Sequence, residues 1–255
     1  MKIHKTAIVH PGAQIGQDVE IGPYVIVGEG CVIGTGTKVG AHCVLDGWTE
    51  IGQRCQIYTG AIIGTAPQYL EDKGEGARLI IGNDNIIREY STINRGTNKG
   101  ATRIGNNNYL MAYSHVGHDC TVGSNVIMAN GVSLGGHVVL EDYVNIGGHT
   151  GVHQFNRLGA YAMVGGGFRV TMDVVPYVSA AGYPLKIHGL NTVGLRKCNF
   201  SSEAISILKE AYRILFRSGL NVSQAIERIE REVARSKEIV HLLQFLKTST
   251  RGICR

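Results

Sequence analysis

The chain has 255 residues, of which 44% are hydrophobic and 18% are charged, and its net charge at pH 7 is +5. That length allows one large domain or a domain with an appendage, and the mild positive charge suits an acidic protein or a phosphorylated small molecule. Lys and Arg form no dense stripe interleaved with aromatic residues, so no nucleic-acid partner is expected. The N-terminal segment lacks a continuous apolar stretch, and no apolar run of about 18 residues follows. We therefore expect a cytoplasmic protein with neither a secretory signal nor a membrane span.

An aliphatic residue recurs at every sixth position over most of the chain. The series holds from Ile3 to Ile63, returns in phase at Ile81, and runs again from Ile104 to Val170. A period of six fits a short strand followed by a turn, repeated as one side of a coil. Three such sides close a triangular prism of about eighteen residues per coil, in which stacked coils bury a core that one coil cannot bury alone.

The fifth residue of each six-residue unit is small almost throughout, and we predict that it faces inward beside the aliphatic residue. The cysteines lack the close CxxC spacing of a zinc site or a disulfide framework, so a reducing compartment is expected. Four cysteines share the fifth position and are predicted to pack in the core: Cys31, Cys43, Cys55 and Cys120.

Two insertions interrupt the repeat, and insertions in repeat proteins often carry function. The first lies near residues 64–80 and is expected to form a projecting loop in place of one coil. The second, near residues 94–103, carries Arg95, Lys99 and Arg103. These cations could meet an anionic partner, although a solvated turn fits the same charges.

The repeat ends near residue 186, and helical periodicity follows. Ser201 or Ser202 is predicted to cap a first helix, and Asn221 or Ser223 is predicted to begin a second. A third helix follows, with apolar residues at i, i+3, i+4 and i+7. The predicted domains are a β-prism over residues 1–186 and a small helical domain over residues 187–255.

Histidines are frequent in the later repeats. The units that begin at 116, 134 and 152 are eighteen residues apart, so they are predicted to stack on one side of the prism. They contain His118, His137 and His153, none of which takes an inward position, and His115 is placed at the preceding corner. We therefore predict an outward row of histidines along a groove.

Such a row is compatible with two kinds of chemistry. A zinc site needs three imidazoles that converge on one ion, whereas a general base for acyl transfer needs one neutral imidazole with a pKa near the working pH. The spread of the histidines along the axis favours the base, and no metal is expected.

Four runs of sequence carry a resemblance to a known family: LMAYSHVGHDCTVG, GGHTGVHQF, GLNTVGLRKCNFSSEAI and STRGICR. Together with the prism they resemble the UDP-N-acetylglucosamine O-acyltransferases, over nearly the whole chain. The resemblance implies a mainly β fold, a left-handed parallel β-helix followed by a small C-terminal α-helical domain. It also implies a homotrimer with its active sites between neighbouring prisms.

The implied reaction moves a 3-hydroxyacyl chain from acyl carrier protein to the 3-position of a UDP-linked N-acetylglucosamine, the first step of lipid A synthesis. The donor is an acidic protein that carries the acyl group on phosphopantetheine, and no other cofactor is implied.

The resemblance assigns roles to individual residues. His118 matches the general base, and the backbone N–H of Gly136 matches the donor that stabilises the oxyanion. Because neighbouring side chains on extended backbone point in opposite directions, Asp119 is not expected to pair with His118. Gly166 matches a position that leaves room for the acyl chain, and Lys197 stands where the family often has arginine. The residues that match substrate contacts are Gln68, His115, His137, His153, Gln154, Asn191 and Lys197.

One departure from the family concerns the acceptor sugar. Where the family typically has PQDLK, this chain has PQYLE, so Tyr69 replaces an acid and Glu71 replaces a lysine. N-acylation of a 3-amino UDP-sugar is therefore a second hypothesis for the reaction. The repeat is also compatible with an acetyl-CoA-dependent sugar-nucleotide acetyltransferase, with a zinc hydrase of the same fold, and with a scaffold that has no catalytic activity.

Overall fold

The computed structural model describes residues 1–73 and 76–255, so the expected projecting loop near 64–80 includes two positions outside the described residues. Many short strands follow one another along the chain. In order they are β1 Lys2–Ile3, β2 Ile8–Val9, β3 Gln14–Ile15, β4 Glu20–Ile21, β5 Ile26–Val27, β6 Val32–Ile33, β7 Lys38–Val39, β8 Val44–Leu45, β9 Trp48–Ile51, β10 Gln56–Ile57, β11 Ile62–Thr65, β12 Arg78–Ile81, β13 Ile86–Ile87 and β14 Thr92–Asn94. The series continues with β15 Ala101–Ile104, β16 Tyr109–Leu110, β17 His115–Val116, β18 Thr121–Val122, β19 Ile127–Met128, β20 Ser133–Leu134, β21 Val139–Leu140, β22 Asn145–Ile146, β23 Gly151–Val152, β24 Arg157–Leu158, β25 Met163–Val164, β26 Arg169–Val170, β27 Val178–Ala181 and β28 Lys186–Leu190.

These strands form three flat faces, and the chain visits each face once per coil. The first face runs from β1 through β4 and β7 to β25, β27 and β28. The second runs from β2 to β26, and the third from β3 to β24. Equivalent strands pair in parallel, so that Ile3 lies beside Ile21 and Val116 beside Leu134. The predicted three-sided prism is therefore confirmed.

The interior of the prism is a column of aliphatic and small side chains. Ile33, Leu45 and Leu134 are among the largest fully buried residues, whereas Ile3, in the first coil, is 41% exposed because no coil covers it. The four cysteines at the fifth position are buried and free, as predicted.

At many corners the fourth residue of a unit has left-handed backbone. Asp119 has φ +57°, His137 has φ +60° and Phe155 has φ +66°. L-residues adopt this conformation at a cost that is lowest for Asn, Asp and His. The backbone at the corners is therefore not extended, and neighbouring side chains there need not point apart.

Both insertions lie at the same corner, where the chain passes from the second face to the third; we call it the second corner. Ile63 lies in β11 of the second face and Ile81 ends β12 of the third face, which pairs with β9 and β15. The expectation that the first insertion replaces a whole coil is therefore wrong. Eighteen positions separate Ile63 from Ile81, which equals one coil, so counting alone could not distinguish a missing coil from extra residues at a corner.

Four helices follow the prism in the described residues. They are α1 Thr192–Lys197, α2 Ser202–Arg217, α3 Val222–Glu232 and α4 Lys237–Thr248. Ser201 caps α2 and Asn221 caps α3, where Gln224 completes a capping box, so both predicted starts are confirmed. The short helix α1 was not predicted. None of these helices is long and apolar enough to cross a membrane.

The helical region is tied back to the last coils. Strand β28 pairs antiparallel with β27, and the predicted domain boundary after residue 186 falls within it. The C-terminal segment returns to the prism at Asp173, which is fully buried. The Cys254 N–H donates to the Asp173 carbonyl at 2.8 Å, and the Ser249 hydroxyl donates to its carboxylate at 2.7 Å.

Candidate active site

A cavity of about 410 Å³ lies on the second face beside the second corner. Its floor is formed by β20, β23 and β26, and the first insertion borders it. Six of the predicted site residues line this cavity: Gln68, His115, His118, Gly136, His153 and Gln154.

His118 and Asp119 form a hydrogen-bonded pair at the second corner. His118 Nδ1 lies 2.9 Å from Asp119 Oδ2, and the two side chains are only 13% and 12% exposed. The expectation that they point apart is wrong, because it assumed extended backbone and Asp119 has left-handed backbone.

The Asp119 carboxylate is held from several sides. The Thr97 backbone N–H donates to it at 3.1 Å and the Thr97 hydroxyl at 2.8 Å, so the second insertion supplies two of its partners. Burial raises the pKa of Asp119, but the hydrogen bonds from His118 and Thr97 outweigh burial and bring the pKa below its ordinary value. The carboxylate is thus ionised near neutral pH and only accepts, so the proton in the pair belongs to His118 Nδ1. Neutral His118 then has a free acceptor at Nε2.

Thr97 was not predicted as a site residue. It lies in the second insertion, whose cations Arg95, Lys99 and Arg103 were considered as contacts for an anionic partner. One of those cations, Arg95, instead donates to the Gly64 carbonyl at 3.2 Å and ties the two insertions together. No local sequence signal marks Thr97, because Thr97 and Asp119 are 22 positions apart and meet only in the folded coils.

The predicted row of His118, His137 and His153 is not present as one row. His118 and His137 meet edge to face with ring centroids 5.2 Å apart, but His137 then stacks on Phe155 at 4.7 Å. His153 lies in the cavity wall, with Nδ1 3.4 Å from Arg251 Nη2. The three histidines occupy the third, fourth and second positions of their units, so counting by eighteen stacked the units without aligning the side chains.

His115 lies within β17 rather than at a corner. Its Nδ1 is 2.8 Å from the Thr92 hydroxyl of the preceding coil. Burial, with a smaller contribution from nearby His118, lowers the pKa of His115 below its ordinary value. His115 is therefore neutral at neutral pH and can donate or accept one hydrogen bond toward the cavity.

Gly136 stands directly against the ring of His118. A Cβ at this position would lie 2.5 Å from His118 Nε2, so a side chain here would displace the His118 ring. Within the part of the chain that the structure describes, no backbone group accepts a hydrogen bond from the Gly136 N–H. A free donor and a free basic nitrogen thus share one wall of the cavity.

Tyr69 covers the other side of His118. Their ring centroids are 5.6 Å apart, and the Tyr69 hydroxyl donates to Glu71 Oε2 at 2.8 Å. That hydrogen bond, together with the negative charge of Glu71, raises the pKa of Tyr69. The two residues that depart from the family pattern are therefore paired with each other next to His118.

Besides His137, three predicted substrate residues lie outside this cavity within one chain. Gly166 packs against Gly148 at a different corner, between the first and second faces. The Asn191 amide caps α1 by accepting from Gly194 N–H and also donates to the Tyr161 carbonyl. Lys197 is exposed at the end of α1.

A β-prism of six-residue repeats with a histidine–carboxylate pair in a surface groove is typical of the hexapeptide-repeat transferases. Family models agree, because residues 101–136 match the bacterial transferase hexapeptide repeat and residues 3–71 match the GMPPB C-terminal domain. Residues 173–254 match the model described as UDP N-acetylglucosamine O-acyltransferase, domain 2.

Full-length relatives are more specific. The acyl-[acyl-carrier-protein]–UDP-N-acetylglucosamine O-acyltransferase of Trichlorobacter lovleyi is 57% identical over 260 residues, with 100% of both chains covered. LpxA of Acinetobacter baumannii superposes with a TM-score of 0.96 at 43% identity over 100% of both chains. LpxA of Bacteroides fragilis superposes with a TM-score of 0.98 at 42% identity over 99% of this chain and 100% of its own. This chain belongs to the UDP-N-acetylglucosamine O-acyltransferase family, and its fold is the left-handed parallel β-helix with a C-terminal helical region.

Proposed function

We propose that this enzyme transfers a 3-hydroxyacyl chain from acyl carrier protein to the 3-hydroxyl of UDP-N-acetylglucosamine, the first step of lipid A synthesis. The observation that carries the proposal is the His118–Asp119 pair in the cavity, where His118 Nε2 stands beside Gly136, whose N–H donates to no backbone group among the described residues. A basic nitrogen next to an oxyanion donor is the arrangement that acyl transfer requires.

In this mechanism His118 Nε2 takes the proton from the sugar hydroxyl as its oxygen attacks the thioester carbon. The Gly136 N–H donates to the oxyanion of the tetrahedral intermediate, a contact of a kind that contributes about 3–4 kcal/mol. Collapse breaks the C–S bond, and His118 returns its proton to the departing phosphopantetheine thiolate. Asp119 holds the imidazole in the tautomer with Nδ1–H and stabilises the cation that forms.

The other cavity residues orient the substrate in this proposal. His115, His153, Gln154 and Gln68 line the walls around His118 and offer hydrogen bonds to the sugar and the diphosphate. His137 lies beside His118 but does not line the cavity, so in this proposal it acts by positioning the His118 ring.

A homotrimer completes the site in our proposal, with active sites between neighbouring prisms. Asn191, Lys197 and Gly166 would then meet the nucleotide and the acyl chain at a cavity to which two chains contribute. Light scattering should give a mass near three times the 27.5 kDa of one chain. We also infer a cytoplasmic location, since six free cysteines suit a reducing compartment.

A second activity, which differs in its acceptor sugar, also has specific support. Tyr69 and Glu71 stand where the family typically has an acid and a lysine, and Tyr69 lies against His118. N-acylation of a 3-amino UDP-sugar would use the same base and the same oxyanion donor.

A competition assay tests both activities. Purified protein receives UDP-N-acetylglucosamine and its 3-amino analogue together, with hydroxyacyl carrier proteins or acetyl-CoA as donors, and mass spectrometry identifies the products. We expect the ester product from the carrier-protein donor, with no product from acetyl-CoA. Replacement of His118 by Gln should slow turnover about 10²- to 10⁴-fold, whereas His149→Gln should not. Turnover of neither sugar by folded protein would contradict the proposal.

A further inference from the structure

Three metal-ligating side chains converge at the second corner, although the proposed reaction uses no metal. They belong to His118, Asp119 and His137, and one ligand atom from each lies within 4.8 Å of the others. Asp119 Oδ2 is central, 2.9 Å from His118 Nδ1 and 3.7 Å from His137 Nε2. Ligand atoms bonded to a tetrahedral zinc ion at about 2.0–2.1 Å stand about 3.3 Å apart, between these two separations.

We propose that this triad binds a divalent transition-metal ion such as Zn²⁺ and that the bound ion inhibits the enzyme. Two imidazoles and one carboxylate form a donor set that zinc accepts, with a fourth position left for water. The inhibitory half of the inference rests on the proposed acyl transfer, whereas the binding half does not.

The ligands are already oriented for an ion. Thr97 holds the Asp119 carboxylate through its backbone N–H and its hydroxyl, in the way that an outer shell fixes a metal ligand. The His137 ring is fixed by stacking on Phe155 with an angle of 8° between the planes. Only small side-chain movements would bring the three donor atoms to bonding distance.

Inhibition follows because the ion would bond to Nδ1 of His118. In the proposed reaction Nδ1 of His118 carries the ring proton and Nε2 accepts the proton of the sugar hydroxyl. An ion bonded to Nδ1 displaces that proton, and neutral imidazole then carries its single proton on Nε2. His118 can no longer act as a base, and its hydrogen bond to Asp119 is lost. The ion is therefore an inhibitor and not a cofactor.

Zinc binding is tested by calorimetry on the full chain in metal-free buffer. The variants are Asp119→Asn and His137→Asn, chosen because asparagine tolerates the left-handed backbone of both positions, φ +57° and +60°. We expect the unaltered protein to bind one ion per chain. Each variant should bind zinc with an affinity at least about 10-fold lower, because removal of an outer-shell partner alone already lowers metal affinity about 10-fold.

His149→Asn is the matched control. His149 also takes the fourth position of its unit with left-handed backbone, φ +57°, but it lies at the corner between the first and second faces, outside the triad. Its replacement should leave zinc affinity unchanged. Anomalous scattering at the zinc edge should place the ion between His118 and His137.

Inhibition is measured as the acyl-transfer rate relative to each protein's own zinc-free rate. Zinc should inhibit the unaltered protein and the His149→Asn control equally, should inhibit His137→Asn only at higher concentration, and should be reversed by a chelator. Absence of binding, an ion at another position, equal zinc affinity in His137→Asn, or binding without inhibition would each overturn the inference. If zinc-free protein transfers no acyl group, the proposed function fails while calorimetry and scattering still decide whether the metal site exists.

Discussion

At the scale of single residues, the contact between Gly136 and His118 sets the geometry of the proposed site. A side chain at Gly136 would occupy the space of His118 Nε2, which is 2.5 Å from the ideal Cβ position. The ring would have to move, which would disturb its positions relative to Asp119 and the oxyanion donor. Base and donor are therefore close because one of the two residues has no side chain.

Gly136→Ala should lower kcat by about 10²-fold or more, comparable to the loss of an oxyanion donor. Circular dichroism should remain that of the folded protein. Gly189→Ala is the control, since a Cβ at Gly189 would meet no atom within 4 Å. Steady-state kinetics of both variants test the prediction, and a Gly136→Ala enzyme with unaltered kcat would contradict it.

The largely buried carboxylate of Asp119, with its side chain 12% exposed, should make stability depend on pH. Its pKa in the folded protein lies below the ordinary value of 3.8, so the unfolded chain binds the proton more readily. The contribution of Asp119 is then fully present above pH of about 4 and is lost as the pH falls through its folded pKa. Urea unfolding between neutral and strongly acidic pH should show a smaller acid loss in Asp119→Asn than in the unaltered protein. An identical pH profile in the two proteins would show that Asp119 does not contribute in this way.

At the scale of elements, the two insertions act together at the second corner. Asn94 ends β14 in the second face and begins the second insertion, and its Nδ2 donates to the Ala66 carbonyl at 2.9 Å and to the Thr65 hydroxyl at 3.2 Å. Those residues begin the first insertion, which carries Gln68 to the cavity and Tyr69 to His118. The buried Asn94 amide is thus one of the contacts that hold the loop over the site.

Asn94→Leu should loosen the start of the first insertion, raise KM for the sugar nucleotide, and increase amide hydrogen exchange in residues 65–73. Asn156→Ala is the comparison, because Asn156 is also a buried amide and donates to the Val170 carbonyl at 3.0 Å. That variant should lose global stability without selective exchange in the loop. Equal exchange in the loop of both variants would remove Asn94 as its anchor.

At the scale of the whole molecule, stability should depend on position along the stack. Leu134 is fully buried between neighbouring coils, whereas Ile3 lies at the open end. Leu134→Ala should lower the free energy of unfolding by about 2–5 kcal/mol, and Ile3→Ala by much less. Urea denaturation of the two variants measures the difference. Equal losses would mean that the first coil is covered in solution.

The sequence by itself determined the architecture of this protein. An aliphatic residue at every sixth position and a small residue two positions before it fit a stack of three-sided coils, so the core and its cysteines were predictable. Ser201 and Asn221 before helical periodicity made two helix caps predictable. Family-specific runs around His118 and Gly136 made the class of reaction predictable as well. These signals are local or periodic, so they can be read without knowledge of contacts between distant residues.

The tertiary structure alone decided how the site is arranged. Left-handed backbone at Asp119 turns its carboxylate toward His118, and Thr97, from a separate insertion, holds it there. Whether the histidine side chains align depends on the position of each one within its six-residue unit, whereas counting by eighteen shows only which units stack. Both insertions were visible in the sequence, but their shared corner followed only from the pairing of β12 and β15 in the third face. Such relations join residues that are far apart in the chain, and only the folded coils bring them together.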